Sequence, residues 1–176
     1  MDNLPALALG QLYLLPNEYA FSLTIELALT TGVNLLVCGN RLPFYDIAYE
    51  LARRVGGRYE SILREQVYFS RAETCIQLVD FLAELEYSYR PLFVSDLLSR
   101  FQDEDERDVD RLFFACQVEL QRLSLGELVF INATPRPPLE RLGFALARIT
   151  TPLEPPTTPG NNHGTHTAPS FLPVQD

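Results

Sequence analysis

The chain contains no lysine: all fourteen of its basic residues are arginines. Histidine is nearly as scarce, with only His163 and His166, both in the C-terminal stretch. These two shortages remove the phosphate-loop lysine and Schiff-base chemistry. They also remove any histidine-based triad or zinc site within the part that folds. Cysteine is sparse as well. Cys38, Cys75 and Cys116 stand far apart with no C-x-x-C spacing, as expected of buried thiols in a reducing cytoplasm. No run approaches the roughly 20 apolar residues of a membrane span, and the first residues lack the charged n-region of a signal peptide. The net charge of -9 offers no overall basic field for nucleic acid or anionic membrane.

What is present is enough to build a core: 176 residues, 47% of them hydrophobic, point to a single domain. Short apolar runs recur at 10–15, 34–38, 66–70, 91–96 and 127–132. Apolar throughout, they fit parallel strands covered on both faces. Helical spacing fills the intervals. Residues 18–31 carry Phe21 and Ile25 behind Asn17, which is placed as an N-cap. Residues 45–55 carry Ile47, Leu51 and Val55 and stop at Gly56-Gly57. Residues 72–87 place Ile76, Val79 and Leu82 on one face, and residues 103–123 place Val109, Leu112, Phe113, Cys116 and Leu120 inward. Phe69, Phe93, Phe113 and Phe114 are expected in the core. The alternation implies an α/β sandwich with right-handed crossovers.

From residue 151 the composition shifts to TPLEPPTTPGNNHGTHTAPSFLPVQD, which is too poor in apolar residues to offset the entropy of ordering. The expected division is a folded domain over 1–150 and a disordered tail over 151–176. Within that tail Phe171-Leu172 with Val174 reads either as a short docking motif or as an ordinary terminus.

Taken in order, the elements resemble the ATPase core of the RecA/RadA recombinases from about Leu9 to Asn132. LALGQLYLL is similar to the strand that enters that family's phosphate loop, and VNLLVCGNRLPFYDIAYELARRVG to the next strand, turn and helix. REQVYFSRAETCIQLVDFLAEL resembles its third strand and the helix that follows, PLFVSDLLSRFQDEDERDVDRLFFACQVELQRLS its Walker B strand and long helix, and GELVFINATP its sensor strand. The resemblance implies a three-layer RecA-like α/β sandwich with a mostly parallel central sheet, truncated at the C-terminal end. Only one last strand or helix fits after Pro138.

The departures bear on function. Where the family has phosphate-loop glycines this chain has Pro16, which offers no N–H, and Phe21, whose ring would occupy phosphate space. Ser22 replaces the lysine and Leu23 the magnesium-binding hydroxyl. Where the family places its water-activating carboxylate, at the end of the second strand, this chain has Cys38-Gly39-Asn40, and an amide such as Asn40 cannot serve as a general base. The Walker B position falls on Ser95 or Asp96, and Asn132 matches the polar sensor in kind. These are read as vestigial nucleotide-site positions, with no catalytic, cofactor-binding or metal-binding residue expected and no cofactor.

Two charged clusters stay open to two readings. DEDERDVD, residues 103–110, reads as a divalent-metal site or as an acidic first helical turn. Arg53, Arg54, Arg58 and Arg64 read as a solvated face or as a site for an acidic partner or phosphate. The resemblance and its gaps imply a cytoplasmic, non-catalytic pseudo-ATPase. Its expected partner is a protein, an active homologue or a second copy of itself, in recombination or repair, without direct DNA or membrane contact. A regulator that binds ATP without hydrolysing it is the alternative. A slow ATPase using arginine in place of lysine is a third.

Overall fold

The computed structural model describes residues 7–39 and 44–154. Asn40, both histidines and Phe171 to Val174 lie outside the described residues. The order is β1 (Leu12–Leu15), α1 (Asn17–Thr30), β2 (Val33–Val37), α2 (Phe44–Val55), α3 (Tyr59–Gln66), β3 (Val67–Arg71), α4 (Cys75–Glu84), β4 (Leu92–Ser95), α5 (Glu106–Ser124), β5 (Val129–Asn132), α6 (Glu140–Ile149) and β6 (Thr150–Pro152). Single 3₁₀ segments at Gly56–Arg58 and Leu97–Asp103 complete the path.

The six strands form one sheet in the order β3-β2-β4-β5-β1-β6, and every pairing is parallel. Parallel neighbours require crossovers, and the direction of each crossover fixes its face. The steps β1 to β2 and β2 to β3 run one way along the sheet, so α1, α2 and α3 share a face. The steps from β3 onward run the other way and put α4, α5 and α6 on the opposite face. The expected α/β sandwich of three layers is therefore present, with a sheet that is wholly parallel.

Two apolar cores follow from the two-residue period of the strands. Tyr13, Leu35, Phe93 and Phe130 meet Ile25 and Ala28 of α1 and Ile47 and Leu51 of α2. Leu12, Leu36, Val94 and Ile131 meet Leu78 of α4, Cys116 and Leu120 of α5 and Leu146 of α6. Each interior strand thus feeds both cores, which is why its sequence is apolar at consecutive positions rather than at alternate ones.

Several local expectations change. Helix α4 buries Cys75, Leu78 and Leu82, while Ile76 is exposed, so its inner face is turned by one residue from the one read off the periodicity. Phe93 and Phe113 are core, but Phe69 and Phe114 face solvent. Both a helix and a strand follow Pro138. Residues 151–153, at the head of the segment assigned to a tail, belong to the fold: β6 pairs with β1, and Leu153 is buried.

Candidate functional site

In doubly wound sheets, ligands bind outside the carboxyl ends of the strands, where neighbouring strands send their crossovers to opposite faces. Here β1 and β5 are such a pair, and so are β2 and β4. Four of the residues singled out from the sequence are brought to this edge: Pro16 after β1, Ser95 and Asp96 at the end of β4, and Asn132 at the end of β5. Phe21, Ser22 and Leu23 are not. The link from β1 to α1 is the single residue Pro16, so these three lie inside the helix. Leu23 is buried in the core, and the Ser22 hydroxyl donates to the Tyr19 carbonyl at 3.1 Å.

The short link has a physical basis. Pro16 sits at φ -66, an extended residue whose missing N–H costs nothing before a helix. Its carbonyl accepts from the Tyr19 N–H at 3.1 Å, which closes the first turn. Asn17 is the first helical residue and provides no cap. Its side chain reaches across the strand ends instead.

There it joins a chain of hydrogen bonds. The Asn132 amide donates to Asn17 Oδ1 at 2.6 Å and to the Leu15 carbonyl at 3.4 Å. Asn132 Oδ1 accepts from the Asp96 N–H at 3.3 Å. Asn17 Nδ2 donates to Thr134 Oγ1 at 2.8 Å. Asn132 is only 2% exposed, and a buried amide is tolerated because its donors and acceptor are used. One side chain thereby fastens the carboxyl ends of β1, β4 and β5.

The β2/β4 side is packed as tightly. Asp96 is buried with φ +55, a left-handed conformation that Asp tolerates better than most residues. Gly39 lies against it: a Cβ there would stand 2.1 Å from Asp96 Oδ2. The Cys38 N–H donates to the Ser95 carbonyl at 2.9 Å. The Cys38 carbonyl accepts from the Ser99 hydroxyl at 2.6 Å and from Arg100 Nε. Arg100 Nη1 also donates to the Glu73 carbonyl at 3.1 Å, so this cation serves backbone carbonyls. Burial pushes the Cys38 thiol far above its ordinary pKa, reinforced by Cys116 and opposed by Arg100.

The charged clusters also have structural uses. Asp105 caps α5 by accepting from the Arg107 N–H at 3.0 Å, and Glu106 and Asp108 occupy its first turn. Asp108 pairs with Arg111 at 2.9 Å and Asp110 with Arg141 at 3.1 Å. Among the described residues no group of three His, Cys, Asp or Glu is placed to hold a metal ion. Arg53 and Arg54 both bond Glu50, Arg54 also reaches Glu26 at 2.5 Å, and Arg64 lies 3.7 Å from Glu65.

A second polar centre, missed in reading the sequence, lies at the amino edge. Arg122 of α5 donates through Nη2 to the carbonyls of Leu82, Ala83 and Leu85, capping the C-terminus of α4, while its Nε bonds Glu119 at 2.6 Å. The buried Glu127 accepts from the Ser88 N–H and hydroxyl through Oε2, and its Oε1 has no hydrogen-bond partner among the described residues. Burial raises its pKa. The available signal was a carboxylate heading the apolar run ELVFI.

What the carboxyl edge offers chemically is the amides of Asn17 and Asn132, the hydroxyls of Ser95, Ser99 and Thr134, and a carboxylate packed on a glycine. No helix of the described residues is long and apolar enough to cross a membrane. Set against protein-family models and against curated proteins, the chain matches none of them.

Proposed function

We propose that this chain is a non-catalytic RecA/RadA-like domain, a pseudo-ATPase that works in the cytoplasm by binding another protein. The observation that carries the reading is the junction at Pro16. A phosphate cradle needs several residues of loop whose N–H groups converge on an anion, and here one proline joins strand to helix. Asn17, the residue after that proline, is engaged by hydrogen bonds with Asn132 and Thr134.

An interaction role is supported by the β3 edge of the sheet. Among the described residues, strand β3 pairs with β2 alone and exposes Tyr68 and Phe69. Phe69 packs edge-on against Phe44 of α2, 5.4 Å between ring centres, and Tyr45 and Tyr49 of the same helix are exposed. An edge strand bearing exposed aromatics is a docking surface in kind. The net charge of -9 favours a protein over a nucleic acid there. A role in recombination or repair follows from the family resemblance alone.

Calorimetric titration with magnesium-ATP at up to millimolar ligand tests the non-catalytic half; no saturable heat is expected. Saturable binding would overturn it in favour of a nucleotide-binding regulator. Phe69→Asp in the full chain tests the docking half. It should abolish co-purification of a partner that the wild type retains, and unchanged retention would remove the β3 edge from the proposal.

A further inference from the structure

The segment between α4 and β4 crosses the amino edge of the sheet as a strap. Over residues 85–90 it forms neither helix nor strand, and side chains anchor it. The Tyr87 hydroxyl donates to the Arg122 carbonyl at 3.1 Å, and Arg122 Nη2 donates to the Leu85 carbonyl at 3.2 Å. The Tyr87 ring lies on Gly126, where a Cβ would stand 2.2 Å from Tyr87 Cδ1. Ser88 is the central tie. Its hydroxyl oxygen accepts from Asn34 Nδ2 of β2 at 2.6 Å, and its N–H and O–H reach Glu127 Oε2 at 3.3 and 3.2 Å. The next residue is strained: Tyr89 holds φ +59 with a side chain 95% exposed, so packing does not offset the conformation.

Glu127 is a costly partner for such a tie. It is 3% exposed, and Oε1 has no hydrogen-bond partner among the described residues. Ionised, it leaves a charged oxygen buried without a donor, which is expensive. Protonated, it fits the same geometry better. A proton on Oε2 points to Ser88 Oγ, 3.2 Å away, while the serine hydroxyl turns to the Arg90 carbonyl at 3.5 Å. The surroundings do little to favour the charge. From α5 comes Arg122, whose guanidinium is shared with Glu119 and three carbonyls. Asn34 of β2 and Ser88 of the strap are neutral, as are Gly10 and Gln11 before β1 and Pro91 before β4. Arg90 is drawn off over the Tyr68 ring, 4.1 Å from its centre, and Glu84 and Glu86 line an open cleft of about 510 Å³ beside Arg122. Burial outweighs Arg122 and raises the Glu127 pKa.

We propose that residues 86–90 are a proton-gated strap: protonated Glu127 holds Ser88 on the amino ends of β2 and β5, and ionised Glu127 releases the segment to water. Once the strap is open, Glu127 is solvated and returns to the ordinary carboxylate range. Between that range and the raised value the open form therefore binds fewer protons than the closed one. Opening is favoured as pH rises, by about tenfold per pH unit over that interval, and levels off above it. The strap lies at the edge opposite Pro16, Asp96 and Asn132 and does not depend on how that site is read.

Hydrogen exchange of the full chain between about pH 4 and about pH 8, with each rate divided by that of the unstructured peptide, tests this. Opening of 86–90 should climb by about tenfold per pH unit above the ordinary carboxylate range and then level off, while the interior turns of α5 stay closed. In Glu127→Gln, which cannot ionise, these amides should keep the acid-side opening of the wild type at every pH. Ser88 is exposed, so Ser88→Ala tests the tie without disturbing the core. It should raise acid-side opening about tenfold and shrink the pH step. A wild-type strap indifferent to pH would overturn the proposal, as would a step that survives Glu127→Gln or a Ser88→Ala strap that behaves as wild type. A step shared equally by the interior of α5 would overturn it too, because the opening would then be global unfolding.

Discussion

The backbone of Gly39 lies against the carboxylate of Asp96, closely enough that the smallest side chain at position 39 would overlap Oδ2. The end of β2 and the end of β4 are therefore fitted by one glycine and one left-handed aspartate that share one space.

Gly39→Ala is expected to destabilise the fold by at least ~2 kcal/mol, since the neighbour it strikes is buried and held by its backbone. In Asp96→Gly the obstructing carboxylate is gone and the φ +55 conformation is relaxed. The double variant should lose clearly less stability than the sum of the two single changes. Urea unfolding of the four proteins measures the coupling; additive losses would show that the two residues do not share the space.

Asn132→Ala removes the side chain that serves the Asp96 N–H, the Leu15 carbonyl and Asn17 together. Buried groups left unsatisfied cost about 1–3 kcal/mol, so a loss toward the upper end is expected. Asn17→Ala, at the exposed end of the same chain, should cost less. Equal losses would argue against Asn132 as the central fastener.

Two carboxylates should give opposite pH behaviour. The buried Glu127 has its pKa raised, so the native state holds the proton more tightly than the unfolded chain. Its contribution is present below the ordinary carboxylate range and is lost as pH rises through the raised value. Wild type should therefore lose ground to Glu127→Gln as pH rises from acid toward neutral. Glu50, hydrogen-bonded by Arg53 and Arg54, is held down to about 2. Its contribution is present above the ordinary range and lost as pH falls toward that value. Wild type should accordingly converge on Glu50→Gln at low pH. Thermal unfolding midpoints across a pH series distinguish the two slopes.

The three thiols should be silent in the native protein. Cys38, Cys75 and Cys116 are buried and unpaired by disulfides, and burial pushes Cys75 and Cys116 each up to about 12. A thiolate is the reactive form, so a thiol reagent at pH 8 should label none of them until denaturant is added, then all three. Prompt labelling of any one in native buffer would contradict its burial.

How much of this was legible in the sequence divides by the kind of signal. Strands β1, β2, β4 and β5 were readable because strands covered on both faces are apolar at consecutive positions, as in the LFV of LFVS and the VFI of VFIN. Helix α3 was not, because YESILREQ buries no residue and follows two glycines that read as a stop. Phe69 and Phe114 were misplaced because an aromatic in an apolar stretch reads as core whichever way it points. At the site, the residue types at Pro16, Asp96 and Asn132 were visible. Their joining was not, since Gly39 against Asp96 and Asn17 against Asn132 depend on strand order, which no local pattern encodes.

The strand order also sets a schedule for synthesis. β1 lies between β5 and β6, the last two strands to be made, and the Asn17–Asn132 bond closes over 115 residues. A chain emerging from the ribosome N-terminus first therefore carries LYLL for most of its length with neither neighbour available. Sheet growth can begin among β2, β3 and β4, but the centre is sealed only when Val129 to Asn132 slide in between β4 and β1. Whatever shields β1 during that wait comes from outside the finished sheet.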